Sequence, residues 1–196
     1  MTYGKLKKRI YSLLDVGTDD GSPNGSIYDV LSLSINDAIN SAARKMAATL
    51  MFITKRADVV FEKSGDISCA DLPSDFLALK NIYFNGKRYR AGDFDTFGKK
   101  AYCSYIGEGT ADAFYVAYPA DMSSLGDEDE LDFDDFYCDI LAYGASLELC
   151  PEAYPGDFCK YSVLSTEYDE RMANALLYGG NTDRVSNVLF SKRRFL

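Results

Sequence analysis

Apolar residues recur along the first fifty positions at steps of three and four, the spacing of one helix face. Leu6, Ile10, Leu13 and Leu14 share such a face behind Thr2, whose hydroxyl can accept from a first-turn N–H, and a helix is expected to stop before Gly17. Residues 17–25 are rich in Gly, Asp, Ser, Pro and Asn and read as a loop. A second, longer stripe follows at Ile27, Leu31, Ile35, Ala38, Ala42 and Met46, opened by Ser26-Ile27-Tyr28-Asp29, which has the form of a capping box with Asp for Glu. Ala38, Ala42, Ala43 and Ala47 leave room for another helix to approach closely.

After Thr49 the period changes. Met51-Phe52-Ile53-Thr54, Val59-Val60-Phe61 and Asp66-Ile67-Ser68-Cys69 are β-branched or aromatic runs. Pro73 fixes a turn and biases Leu72 to extended backbone. Two strand-like runs, 77–84 and 87–90, flank Asn85-Gly86, a pair that accepts the positive φ angles of a two-residue hairpin. A loop or short helical turn is expected over 93–99, then strands near 102–105 and 113–118. Helical spacing returns at Phe136, Ile140, Tyr143, Gly144 and Leu147, with Asp132 or Asp134 as the cap. The breaker Pro151-Glu152-Ala153-Tyr154-Pro155-Gly156 separates it from a last stripe at Tyr161, Leu164, Tyr168, Met172 and Leu176, capped near Asp157 and ended by Gly179-Gly180.

These patterns predict an α+β chain: mainly a helical bundle of about four helices with an inserted small antiparallel β-sheet and an extended C-terminal tail. Residues 1–50 would be the N-terminal helices of the bundle, 51–120 the inserted β region, 121–180 the closing helical hairpin packed on the long helix, and 181–196 the tail.

Composition narrows the chemistry. The 196 residues, 47% hydrophobic, suffice for one substantial core. No run of about 18 apolar residues predicts a membrane span, and the basic start lacks the apolar run of a signal peptide. Five cysteines without CxxC spacing read as reduced thiols in a cytosolic setting. Histidine is absent, which removes Ser-His and Cys-His catalysis and imidazole metal sites. Neither the carboxylates of 127–135 nor those of 15–20 follow the order of a calcium loop, with its glycine at the sixth place. The expectation is no metal, no cofactor, no catalytic residue and no enzyme. The fifteen tyrosines fall mostly on helix and strand stripes, as core and interface positions rather than a stacking platform for nucleic acid.

Charge is uneven. The net value is −9, yet residues 1–56 carry +3, 57–105 carry 0, 106–170 carry −16 and 171–196 carry +4. Such a distribution bears on association rather than on fold.

The order of parts resembles a known family. A helix and a long helix run into a β region; Leu72-Pro73-Ser74-Asp75-Phe76 turns into a strand and the Asn-Gly hairpin; an aromatic strand ends at Tyr118-Pro119. An acidic and apolar lead-in over 130–136 and two closing helices follow. Over about residues 1–178 this is similar to the head-to-tail connectors, or tail adaptors, of tailed bacteriophages, above all the short-tailed phages. The resemblance implies a structural virion protein of the neck or tail region, made in the host cytoplasm. It would form a ring, usually of about twelve copies, bound beneath the portal protein, touching tail or nozzle proteins and lining a channel through which double-stranded DNA passes without sequence preference. It also implies that the C-terminal segment docks on the portal, with Lys192, Arg193 and Arg194 meeting acidic side chains while Val188, Leu189, Phe190, Phe195 and Leu196 enter apolar grooves. The acidic patch Asp127, Glu128, Asp129, Glu130 and Asp132 would face the DNA channel or a neighbouring subunit. The alternative is a small acidic regulatory protein, a DNA mimic that blocks a nucleic-acid-binding enzyme.

Overall fold

The computed structural model describes residues 1–16, 25–131 and 133–178. Four helices are present among them: α1 (Tyr3–Leu13), α2 (Gly25–Leu50), α3 (Asp135–Ala153) and α4 (Phe158–Tyr178). Between α2 and α3 come seven strands: β1 (Thr54–Ser64), β2 (Ile67–Asp71), β3 (Phe76–Phe84), β4 (Lys87–Arg90), β5 (Asp95–Phe97), β6 (Lys100–Cys103) and β7 (Gly109–Ala117). All join one antiparallel sheet in the order β4-β3-β7-β1-β2-β6-β5. This corrects the expected architecture. The chain is not a helical bundle carrying a small inserted sheet; a large curled sheet stands as the counterpart of the four helices.

The chain divides into two compact units, a helical one of Met1–Ala38 with the described residues from 126 on, and a sheet unit of Ile39–Leu125. In the helical unit α3 packs against both α1 and α4. Every residue of α3 from Ile140 to Ser146 is buried, so this helix has no solvated face over two turns. Tyr3, Leu6 and Ile10 form the buried face of α1. Ion pairs fasten the helices: Asp139 accepts from Arg171 of α4 at 3.0 Å and from Arg9 of α1 at 3.5 Å. The Arg171 guanidinium also lies 3.9 Å from the Tyr143 ring centroid, a cation–π contact across α3 and α4. The end of α1 is held by the Tyr154 hydroxyl donating to the Leu14 carbonyl and by the Lys160–Asp15 ion pair. α2 touches α1 through the Tyr3 hydroxyl, which donates to Asn36 at 2.7 Å, and through Tyr11 and Tyr28, with ring centroids 4.9 Å apart.

Two caps differ from expectation. α2 begins at Gly25, so Ser26 lies inside its first turn. Asp134 is the N-cap of α3 but makes no side-chain capping bond. Asp157 does cap α4, accepting from the N–H groups of Cys159 and Lys160 at 3.0 Å. Pro151 sits within the last turn of α3, so the interruption falls at Tyr154–Asp157 rather than at the proline.

In the sheet unit α2 passes into β1 through Met51, whose φ of 51° and N–H bond to the Ala47 carbonyl form a left-handed helix end without glycine. Asn85 and Gly86 have φ of 50° and 77°, as a hairpin of the expected type requires. The connectivity forces the sheet to curl. β4 and β5 lie at opposite edges, and seven flat strands would hold them about 29 Å apart. Only residues 91–94 join them, and five Cα steps reach at most about 18 Å. The inner face so enclosed buries Val59, Phe61, Leu79, Ile82 and Tyr115 among small residues such as Ala70, Ala101, Ala111 and Ala113. The buried Ser68 hydroxyl donates to the Ile106 carbonyl at 2.6 Å, which satisfies it.

Candidate interaction surfaces

The acidic segment before α3 is a built feature of the helical unit. The first N–H groups of a helix lack intrahelical partners. In α1 the Tyr3 N–H donates to the Asp129 carbonyl and the Gly4 N–H to the Asp127 carbonyl, both at 2.9 Å. The approach needs Gly4: a Cβ there would lie 2.8 Å from the Asp127 Cβ and 2.9 Å from its carbonyl oxygen. A bridge between Thr2 and Glu130 continues the pairing. Two carboxylates of the predicted patch are used locally: Asp127 pairs with Lys7 at 3.0 Å, and Asp129 accepts from the Gly126 N–H at 2.7 Å. Glu128 and Glu130 are exposed and in no ion pair among the described residues. The same holds for Asp134. Asp135 holds the Met1 amine at 2.9 Å, and that hydrogen bond lowers its carboxyl below the ordinary range while raising the amine. Asp132 lies outside the described residues, as do the predicted portal-docking positions Val188, Leu189, Phe190, Lys192, Arg193, Arg194, Phe195 and Leu196.

A second surface escaped the sequence reading. On the first half of α2, Ile27, Val30 and Leu33 are exposed, Leu33 to 83%. On α4 the exposed set is Phe158 (82%), Val163, Leu176 and Leu177 (76%). Ile27, Phe136, Tyr161 and Leu176 belong to the apolar stripes expected to form the core, and all four face solvent. Val30, Leu33 and Val163 lie off those stripes; apolar residues on the polar side of an amphipathic helix are the signal that could have revealed the surface. A shallow apolar hollow of about 230 Å³, lined by Pro151, Tyr154, Phe158 and Tyr161, adjoins the start of α4.

The sequence matches no family model and no curated protein.

Among the described residues no group of three or more Cys, Asp or Glu could hold a metal ion, and no helix is long and apolar enough to cross a membrane. The sheet unit carries an open concavity of about 550 Å³ on its outer face, between Arg56, Asp58, Tyr83, Asp112 and Phe114. Asp58 and Asp112 are directly opposed across β1 and β7, an unfavourable pairing that Arg56 relieves by donating to Asp112 at 2.7 Å. The Arg56 hydrogen bonds lower the Asp112 carboxyl. Asp75 gathers a second set, accepting from Lys55 at 2.7 Å and from the Tyr115 hydroxyl at 3.0 Å. Asn40 is nearly buried and fully used: its amide donates to Asp121 and Ser123, and its oxygen accepts from the Met122 N–H. These arrangements fasten strands and loops; none aligns a nucleophile with a base.

Proposed function

We propose that the chain is the ring-forming subunit of a head-to-tail adaptor of a tailed bacteriophage, seated beneath the portal with DNA passing through its channel. The observation that carries this reading is the uncovered apolar surface of the helical unit, with Leu33, Phe158 and Leu177 each more than three-quarters exposed. On α2 the exposed Ile27, Val30 and Leu33 follow at steps of three, a run of the kind that marks interaction sites, and a closed ring offers every subunit two different neighbours to cover such runs. The chain order supports it as well: helix, long helix, β region, helical hairpin. The tail from Val188 to Leu196 would then dock on the portal.

Native mass spectrometry tests the reading, on the protein alone and mixed with a portal protein from the same source. A ring of about twelve copies is expected with portal; a stable monomer or dimer under both conditions overturns it. A second reading is favoured by the unpaired carboxylates Glu128, Glu130 and Asp134. An acidic inhibitor that mimics DNA would present such charge, and it would give that small species, bound tightly to a basic enzyme.

A further inference from the structure

The four residues of β4 include Lys87, Arg88 and Arg90, all exposed. None forms an ion pair among the described residues. Elsewhere on the sheet several cations meet carboxylates, as in Lys55–Asp75, Arg56–Asp112 and Lys100–Asp71. On β4, Lys87 and Arg88 rest on neutral groups. The Lys87 amine lies 4.9 Å from the Tyr89 ring centroid, and Arg88 lies 6.0 Å from that of Tyr83 while donating to Asn81 at 3.0 Å. Their charge is held in place and left uncompensated.

Charge on an edge strand also discourages unwanted strand pairing, but either sign does that. The edge has a complement in the same sequence: Glu128, Glu130 and Asp134, likewise exposed and in no ion pair among the described residues. We propose that β4 is one half of a heterologous contact between copies of this chain, its cations taking the carboxylates Glu128, Glu130 and Asp134 of a second copy. Two different patches meeting head to tail are what a rotational ring requires. The contact rests on the ring reading and names one of its interfaces. DNA is the other polyanion that could take the edge, and its binding is one outcome of the test.

Charge-swapped variants test it by sedimentation velocity across a concentration series, with and without portal protein. One carries Lys87→Glu, Arg88→Glu and Arg90→Glu; the other carries Glu128→Lys and Glu130→Lys. Each alone should associate roughly a hundredfold more weakly than the native chain, because like charges then face each other. An equimolar mixture should recover assembly, since every contact again pairs opposite signs, and that recovery shows that both variants are folded. High salt should weaken the native contact. If the native chain assembles and either variant assembles equally well, the contact is wrong and the ring reading stands. A native chain that never passes a dimer removes both. Loss of binding to a random-sequence DNA duplex in the β4 variant, with self-association unchanged, would assign the edge to nucleic acid and overturn the proposal.

Discussion

The two units solve the burial of apolar surface differently. The sheet unit curls until its inner face is a closed core, with Phe61, Ile82 and Ala113 at 1% exposure or less. The helical unit seals the middle of α3, from Ile140 to Ser146, yet leaves apolar side chains of α2, α4 and the start of α3 (Phe136) in solvent. Charge divides along the same line. By sequence, the sheet unit carries 11 basic and 10 acidic residues, and the helical unit, Met1–Ala38 with Gly126–Leu196, carries 10 and 20. Exposed apolar side chains occur in both units, Phe97 (82%), Tyr105 (71%) and Val60 (59%) in the sheet unit as well as Leu33 and Phe158 in the helical one, so charge is the sharper difference. A unit that repels itself electrostatically is shaped for partners that bring counter-charge.

The comparison breaks most directly at the two cores. Leu141→Ala in α3 and Phe61→Ala in β1 each remove a fully buried side chain, and each is expected to cost about 2–5 kcal/mol. Urea unfolding followed by far-ultraviolet circular dichroism should show Leu141→Ala lowering the helical transition and Phe61→Ala the sheet transition. If both variants shift one common transition equally, the units are structural divisions without separate stability.

A smaller effect is expected at Gly4. An alanine there drives its methyl into the Asp127 backbone, at 2.8–2.9 Å before relaxation. The loop must retreat from α1 and release two N–H bonds, at an expected cost of about 1–3 kcal/mol. Amide exchange at Tyr3 and Gly4 should accelerate while the sheet amides stay unchanged. Unchanged exchange at Tyr3 would mean that the acidic segment is not the cap of α1.

Helices were easier to read in this sequence than strands, for reasons visible in the residues. The four apolar stripes marked four helices to within a few residues because each has a buried side, although α3, buried around Tyr143 and Gly144 on every side, was read as having only one. β2, β6 and β7 were harder to read because their buried positions include Ala70, Ala101, Ala111, Ala113 and Ala117, and alanine favours strands weakly. β1 shows alternating burial only around Val59 and Phe61; its charged ends, with Lys55, Arg56, Glu62 and Lys63, hid an 11-residue strand. β5, entirely exposed, was read as a loop. At the surfaces, the sequence marked the acidic run but not that Asp127 and Asp129 serve α1, since backbone carbonyls leave no trace in residue type. The cations of β4 were visible as letters; that they lack partners needed the structure.

The smallest expected effect lies in the protonation of one tyrosine from each unit. Burial pushes the Tyr11 hydroxyl of the helical unit to about 12, with Tyr28 adding to it. Burial likewise pushes Tyr115 of the sheet unit to about 12, reinforced by its bond to Asp75. For both, the fold binds the proton more tightly than the open chain, whose ordinary value is 10.0, so stability should fall as pH rises from there toward 12. Asp75 runs the other way. Burial alone would raise its carboxyl, but hydrogen bonds from Lys55 and Tyr115 bring it below the ordinary 3.8. Its contribution is therefore complete above that value and is lost as pH falls through the lower, folded one. Tyr115→Phe should cost about 1 kcal/mol near neutrality and blunt the acid sensitivity of the sheet transition. In an alkaline ultraviolet titration it should delete one late tyrosine and leave that of Tyr11. Acid sensitivity equal to that of the native chain would show that the Tyr115 bond does not hold Asp75 ionised, and would leave the Lys55 pair, worth little on its own, and the residue's own backbone N–H to support that charge.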